Sequence, residues 1–137
     1  MLNGVLALER RAIAAYTAAI PLLEGHNRRA ATEFLRQELL HAGRLIALIT
    51  ATGGPVAPRA LSYNLGEPKD TRQILLLLHE VEQAQIAAYL DGVQRLSPGQ
   101  IRAAAGSILA DDAQHVSVLR AALGMQPVPS AFVSGGE

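Results

Sequence analysis

The sequence predicts an all-α fold, a four-helix bundle with a long crossover between its second and third helices. Half of its 137 residues are hydrophobic but only 4% are aromatic, so the core must be built from Ala, Leu, Ile and Val. That composition suits closely packed helices better than a sandwich of strands. Apolar positions recur at helical spacing through four segments. Between the second and third, residues 51–69 are punctuated by Gly and Pro and hold no periodicity, and a bundle with a crossover is the architecture that needs so long a loop. The length suits one domain with its own core: residues 1–124 as the bundle and 125–137 as an extended tail.

The first helix is expected over residues 2–23, with Val5, Ala12, Ile13, Tyr16 and Ile20 on its apolar face. Pro21 lacks the amide a helix interior needs and should kink or shorten its end. Gly25, followed by His26 and Asn27, reads as a stop and a turn. The second helix is expected over residues 28–50, with Phe34, Leu35, Leu45 and Leu48 inward, and Gly53, Gly54, Pro55 and Pro58 end it. A helix of about 22 residues is about 33 Å long, and a loop of about 19 residues spans up to about 60 Å, so the crossover can run the bundle's full length.

The third helix opens at Asp70 or Thr71 and runs to Val93. Its run from Ile74 to Leu78 is apolar on every side, which calls for a second surface: a homodimer interface through this helix, or cover from the crossover. The fourth has Ser97 as N-cap, Pro98 at the first helical position and Gln100 at the capping-box position, and it ends at Gly124. The tail carries Pro127 and Pro129 and is expected to be a strap, packed through Phe132, or loose.

Composition removes several function classes. Twelve basic residues balance twelve acidic ones, without a Lys/Arg stripe, so nucleic acid is not an expected partner. Without Cys there is no disulfide framework, thiolate metal site or thiol nucleophile. No apolar run approaches the roughly 20 residues of a membrane span. Glu9, Arg10 and Arg11 come too early for a signal-peptide apolar region. A soluble, cytoplasmic protein is the default expectation, with an exported precursor whose leader has been removed as the alternative.

Two stretches repeat each other. Glu9 is followed seven residues on by Tyr16, through Ile-Ala-Ala-Tyr, and Glu82 is followed in the same way by Tyr89, at an offset of 73. Carboxylate and phenol then lie two turns apart on one helix face. An offset of 74 places Glu38-x-x-His41 on Asp112-x-x-His115, and Leu45 on Leu119. The chain reads as two copies of one helical hairpin, each supplying a lone Glu and a carboxylate-x-x-His pair. Residues i and i+3 face the same way, so carboxylate and imidazole from one helix can meet one metal ion. Oxygen and nitrogen donors suit Fe, Mn or Zn, and four carboxylates balance two divalent ions. Without metal, four buried carboxylates must take up protons or admit water.

Glu9, Glu38-x-x-His41, Glu82 and Asp112-x-x-His115, in this order over four helices, resemble the ferritin-like di-iron carboxylate superfamily, and the resemblance spans residues 2–123. It implies Glu9 and Glu82 as lone ligands, Glu38 and Asp112 as motif carboxylates, and His41 and His115 as terminal nitrogens of a dinuclear Fe or Mn centre. It also implies that Tyr16 and Tyr89 hydrogen-bond ligand carboxylates and assist catalysis. Asp112 departs from the Glu usual at its position, and its shorter reach suits one ion better than a bridge. The length and the Pro/Gly tail speak against a cage-forming iron store. The resemblance implies oxidoreductase-type reactivity toward a small oxidant, dioxygen or peroxide, or toward a metal ion as substrate. The alternatives are a metal-free interaction module forming a homodimer and, more weakly, a hydrolytic Zn site.

Other polar residues have plainer readings. His79 is expected at a surface or interface, and His26 in a solvated turn. Asp111 and Glu80 point about 100° and 200° away from their neighbouring ligands, toward solvent. Arg10, Arg11, Arg28 and Arg29 read as a charged outer face.

Overall fold

The computed structural model describes residues 1–97 and 99–136. It contains α1 (Leu2–Ala19), α2 (Gly25–Ala51), α3 (Thr71–Val93) and α4 (Gly99–Ala122), with no strand among the described residues. Pro21 does shorten the first helix: α1 stops at Ala19 and one 3₁₀ turn, Ile20–Leu22, follows. Gly25 is not a stop. Its φ of +53° is one that a Cβ disfavours, and α2 starts there, three residues before the expected position, with His26 exposed in its first turn. The corner falls instead at Leu23 and Glu24, where Arg28 Nε donates to the Leu23 carbonyl at 2.5 Å.

The other ends follow their signals. Gly53 (φ +74°) and Gly124 (φ +73°) terminate α2 and α4, and the next amides, of Gly54 and Met125, reach back to the Ile49 and Arg120 carbonyls at 3.0 and 2.8 Å. Asp70 caps α3 by accepting from the Gln73 amide at 2.8 Å, a contact worth about 1 kcal/mol. Pro98, expected at the first position of α4, lies outside the described residues.

α1 packs on α2 and on α3, and α3 on α4, while α2 and α4 meet only sparsely. Two apolar cores fill the ends of the bundle. One gathers Ala15, Leu23, Phe34, Leu75, Leu78 and Leu119, the other Val5, Leu6, Leu45, Leu48, Ile101 and Ile108. Between them lies a layer of fully buried carboxylates: Glu9, Glu38, Glu82 and Asp112. Burying a Leu stabilises by roughly 1.5–3 kcal/mol, whereas burying an unpaired charge costs more than that. The cores at both ends therefore hold closed a layer that would otherwise open to water.

The crossover is fastened to α1. Asn3 donates to the Pro55 carbonyl and accepts from the Ala57 amide, both at 2.9 Å. Arg10 donates to the carbonyls of Ala57 at 2.7 Å and Pro58 at 3.2 Å. Arg10 is therefore a clamp and not part of a solvated outer face, because its stem lies where unpaired loop carbonyls need donors. Arg11 does stay near the surface, pairing with Glu80 at 3.0 Å. Farther along, Leu65 packs with Leu77 against the first core. The crossover thus covers one side of the Ile74–Leu78 run, while Leu76 remains 42% exposed.

The tail lies on α3 and α4. Pro127, Pro129 and Val133 line a half-open cavity of about 50 Å³ over Ile86, Val116 and Arg120, and Arg120 Nε donates to the Gln126 carbonyl at 2.7 Å. Phe132 borders this cavity but is 83% exposed, so it is not the anchor expected of it. Gly135 lies much closer: with φ at +75°, a Cβ there would stand 2.6 Å from the Ala87 amide nitrogen. No helix among the described residues is long and apolar enough to cross a membrane.

Candidate metal centre

All six residues expected as ligands converge between the two cores. Glu9 comes from α1, Glu38 and His41 from α2, Glu82 from α3, and Asp112 and His115 from α4. Their donor atoms form two groups, each within 4.8 Å: Glu38, Glu82, Asp112 and His115 in one, Glu9, Glu38 and His41 in the other. Glu38 belongs to both, and its Oε1 lies 3.4 Å from His115 Nδ1 and 3.6 Å from His41 Nδ1. Asp112 Oδ1 stands 3.4 Å from His41 Nδ1, so this short carboxylate also faces both positions.

A surrounding set of polar side chains orients these donors. The tyrosines act crosswise: Tyr16 of α1 donates to Glu82 Oε1 at 2.5 Å, and Tyr89 of α3 donates to Glu9 Oε1 at 2.6 Å. Both hydroxyls are buried, where an unmet hydrogen bond is costly. The outer nitrogens of the histidines are held crosswise too. His115 Nε2 lies 2.8 Å from Gln37 Oε1 of α2, and His41 Nε2 lies 3.2 Å from Asp111 Oδ2 of α4. With oxygen acceptors there, each ring keeps a proton on Nε2, and its Nδ1 is the nitrogen that faces the carboxylate layer. Phe34 stacks on His115, with ring centroids 4.0 Å apart.

Three of these residues escaped the sequence reading. Asp111 was expected in solvent, yet it faces both imidazoles, with 3.6 Å to His115 Nε2. An angle of 100° from Asp112 points away from the bundle axis but toward α2, across the sparse α2/α4 contact. Its offset-mate is Gln37, and a polar residue just before each motif acid was the available signal. Gln85 is fully buried on α3, and its Nε2 donates to Glu38 Oε2 at 2.7 Å. Gln85 lies three residues past Glu82, the same-face spacing used for the other pairs, but its offset-mate is Ala12, so the repeat gave no hint of it. His79, expected at a surface or interface, is buried at 7% exposure and belongs to neither donor group among the described residues.

The electrostatics are those of a layer that needs positive charge. Burial works to raise Glu38, but hydrogen bonds with His115 and His41 outweigh it and bring the carboxyl down to about 2. Burial pushes Glu9 up to about 8, against the His41 contact and with the Glu38 charge adding to the rise. Burial and the charges of Glu82, Glu9 and Glu38 drive Asp112 well above the usual carboxylate range, and Glu82 is also raised, chiefly by burial. Burial would lower both histidines, yet the facing carboxylates lift His41 to about 10 and His115 to about 9. Burial and the adjacent carboxylates raise both tyrosines, so they remain protonated donors.

The fit to a metal can be read from atoms left without partners. Glu9 Oε2, Glu38 Oε1, His41 Nδ1, Glu82 Oε2 and both oxygens of Asp112 are buried without a hydrogen bond. Native interiors leave few such atoms. These atoms belong to five of the six convergent residues and include a donor from each of the four helices. Carboxylate oxygen and imidazole nitrogen are the donors that Fe, Mn and Zn accept, so the residues fit a pair of divalent ions.

The layer is not sealed on every side. The crossover covers α1 and α3, and the tail covers α3 and α4. Between α2 and α4, an open groove lined by Leu40, Arg44, Ile108 and Gln114 reaches His41 and Asp111. The His41 side chain is 12% exposed, against 1% for His115.

Comparison with known proteins bears on this arrangement. The ferritin-like domain family matches residues 1–125. A conserved hypothetical protein from Mycobacterium tuberculosis superposes with a TM-score of 0.85 at 21% identity, over 96% of this chain and 93% of that one. A ferritin-like, diiron-carboxylate protein from Bacillus anthracis superposes with a TM-score of 0.78 at 23% identity, over 89% of this chain and 91% of that one. No curated protein matches the chain.

Proposed function

The chain belongs to the ferritin-like domain family, and from that premise we propose that it is a di-metal carboxylate protein with oxidoreductase-type reactivity toward dioxygen or peroxide. The observation that carries the reading is the set of buried, partnerless donor atoms on Glu9, Glu38, His41, Glu82 and Asp112. His115 Nδ1, which faces Glu82 Oε1 at 3.1 Å, converges on the same layer. The Bacillus anthracis protein, described as a diiron-carboxylate protein, makes Fe the first metal to test and Mn the second.

A bound Fe or Mn pair would supply the electrons that reduce the oxidant. The protein's part is to hold and orient. His41 and His115 would each hold one ion through Nδ1, with Glu38 between them. Glu9 and Glu82 would cap opposite sides, each steadied by the tyrosine of the other helix. Because those hydroxyls stay protonated, they keep donating while the carboxylates adjust. The two apolar cores exclude water from the layer at both ends.

The test is elemental analysis of protein purified from Fe- or Mn-supplemented medium, followed by melting of stripped and reloaded samples. About two ions per chain are expected. A metal at 100 times its dissociation constant stabilises by about 2.7 kcal/mol, on the order of 10 °C in melting temperature at this size. Consumption of dioxygen by the Fe(II)-loaded protein, abolished in Glu38→Ala, tests the reactivity. Trace metal only, with no thermal shift from Fe(II), Mn(II) or Zn(II), favours a metal-free scaffold whose layer is closed by protons.

A further inference from the structure

We infer that Gln85 makes the two metal positions unequal, by holding one oxygen of Glu38 so that the Glu82 side binds an ion tightly and the Glu9 side binds one weakly and exchangeably. The inference rests on the metal reading above and concerns residues that the repeated ligand pattern does not contain.

Glu38 is the carboxylate common to both donor groups. A carboxylate serving two ions ordinarily has two oxygens to share. Here Oε2 accepts from Gln85 Nε2 at 2.7 Å, and the bond is buried and charge-assisted, the stronger kind. Oε1 is left alone between the two imidazoles. That bond commits a lone pair of Oε2 and fixes its direction, so Oε1 is the oxygen best placed to serve both positions, and the position with the other donors better placed wins it.

Those donors favour the Glu82 side. Its group has four members, Glu38, Glu82, Asp112 and His115, all buried, whereas the other group has three, and His41 is slightly exposed. His115 is fixed by Gln37 and by the stacked Phe34, while His41 borders the open α2/α4 groove. The tail lies against the α3/α4 face behind the first group, and nothing comparable covers the α2/α4 face among the described residues. Nor does the Glu9 side have a counterpart to Gln85, because the matching residue on α1 is Ala12.

Titration of the metal-free protein with Mn(II), followed by calorimetry and native mass spectrometry, tests this without any turnover. Two steps separated by at least tenfold in affinity are expected in the unaltered chain. His41→Ala should remove the weaker step and leave the tighter one within threefold. Gln85→Leu, similar in volume but without the donor, frees Glu38 Oε2 and should tighten the weaker step by about tenfold, narrowing the gap. A gain in affinity cannot come from a folding defect, so this variant stays informative where others lose stability. Two ions bound with equal affinity in the unaltered chain, or a gap that Gln85→Leu leaves unchanged, overturns the inference while the metal reading stands. No bound Mn(II) at all, repeated with Fe(II) under anaerobic conditions, overturns both.

Discussion

Stripping the metal should make the protein less stable as pH rises through neutrality, the reverse of the behaviour expected once metal is bound. The perturbation is a pH change on metal-free protein. Glu9 is raised from 4.5 to about 8, so its contribution is full below about 4.5 and lost as pH climbs to 8. His41 and His115 are raised from 6.5 to about 10 and about 9, so theirs is full below about 6.5 and lost above. Glu38, lowered to about 2, acts oppositely: its contribution is present above 4.5 and disappears as pH falls toward 2. Between pH 6.5 and 8 Glu9, His41 and His115 all act in one direction. Even one net extra proton on the folded chain there lowers stability by about 1.4 kcal/mol per pH unit. The loss is about 2 kcal/mol over the window, several degrees in melting temperature. Metal competes for the same Nδ1 lone pairs and carboxylate oxygens and expels those protons, so the loaded protein should gain on the stripped one as pH rises. Differential scanning calorimetry of chelator-treated and Mn(II)-loaded samples from pH 5 to 9 reads both trends. A stripped protein whose melting temperature is flat or rising from 6.5 to 8 would refute this account of the layer's charge.

Asp112→Asn should separate stability from metal binding. Burial and the neighbouring carboxylates push this carboxyl well above its usual range, so a neutral isostere should raise metal-free stability by roughly 1–2 kcal/mol, by removing an ionisable group from a buried site, while Mn(II) affinity falls at least tenfold. Unfolding curves and metal titrations on one preparation check both. Tyr16→Phe removes the hydrogen bond to Glu82 Oε1 and should cost about 1–3 kcal/mol; an unchanged denaturation midpoint would remove any orienting role for that hydroxyl. Gly135→Ala places a Cβ 2.6 Å from the Ala87 nitrogen at a φ of +75°, so the tail should lift from α3. Limited proteolysis should then cut residues 126–134 several times faster with the bundle's melting temperature little changed. Equal cutting rates would mean that the tail is anchored elsewhere.

What the sequence could and could not reveal divides along physical lines. Helix existence, the crossover and the six convergent residues all rest on spacing within one helix or on an offset between helices, and these survive folding because side-chain direction on a helix is set locally. Gly25 was misread because glycine at positive φ serves either end of a helix, and only the path of the neighbouring chain decides which. Arg10 looked solvated because a cation among surface-compatible residues gives no sign of a loop passing over it. The crosswise contacts from Tyr16, Tyr89, Gln37 and Asp111 join different helices, and no periodicity along one helix encodes which partner lies opposite.

The departures from the repeat carry more information than its matches. α2 brings Gln37 and Glu38 to the layer, and α4 brings Asp111 and Asp112 at the offset positions, each one methylene shorter. Both pairs nonetheless reach the facing imidazoles: Gln37 stands at 2.8 Å from His115, and Asp111 at 3.2 Å from His41. The shorter arm makes the longer of the two contacts. Asp112 shares a donor group with Glu82 and His115, while His41 borders the open groove between α2 and α4. Restoring the longer arm with Asp112→Glu would then crowd the Glu82 side instead of completing a symmetric pair.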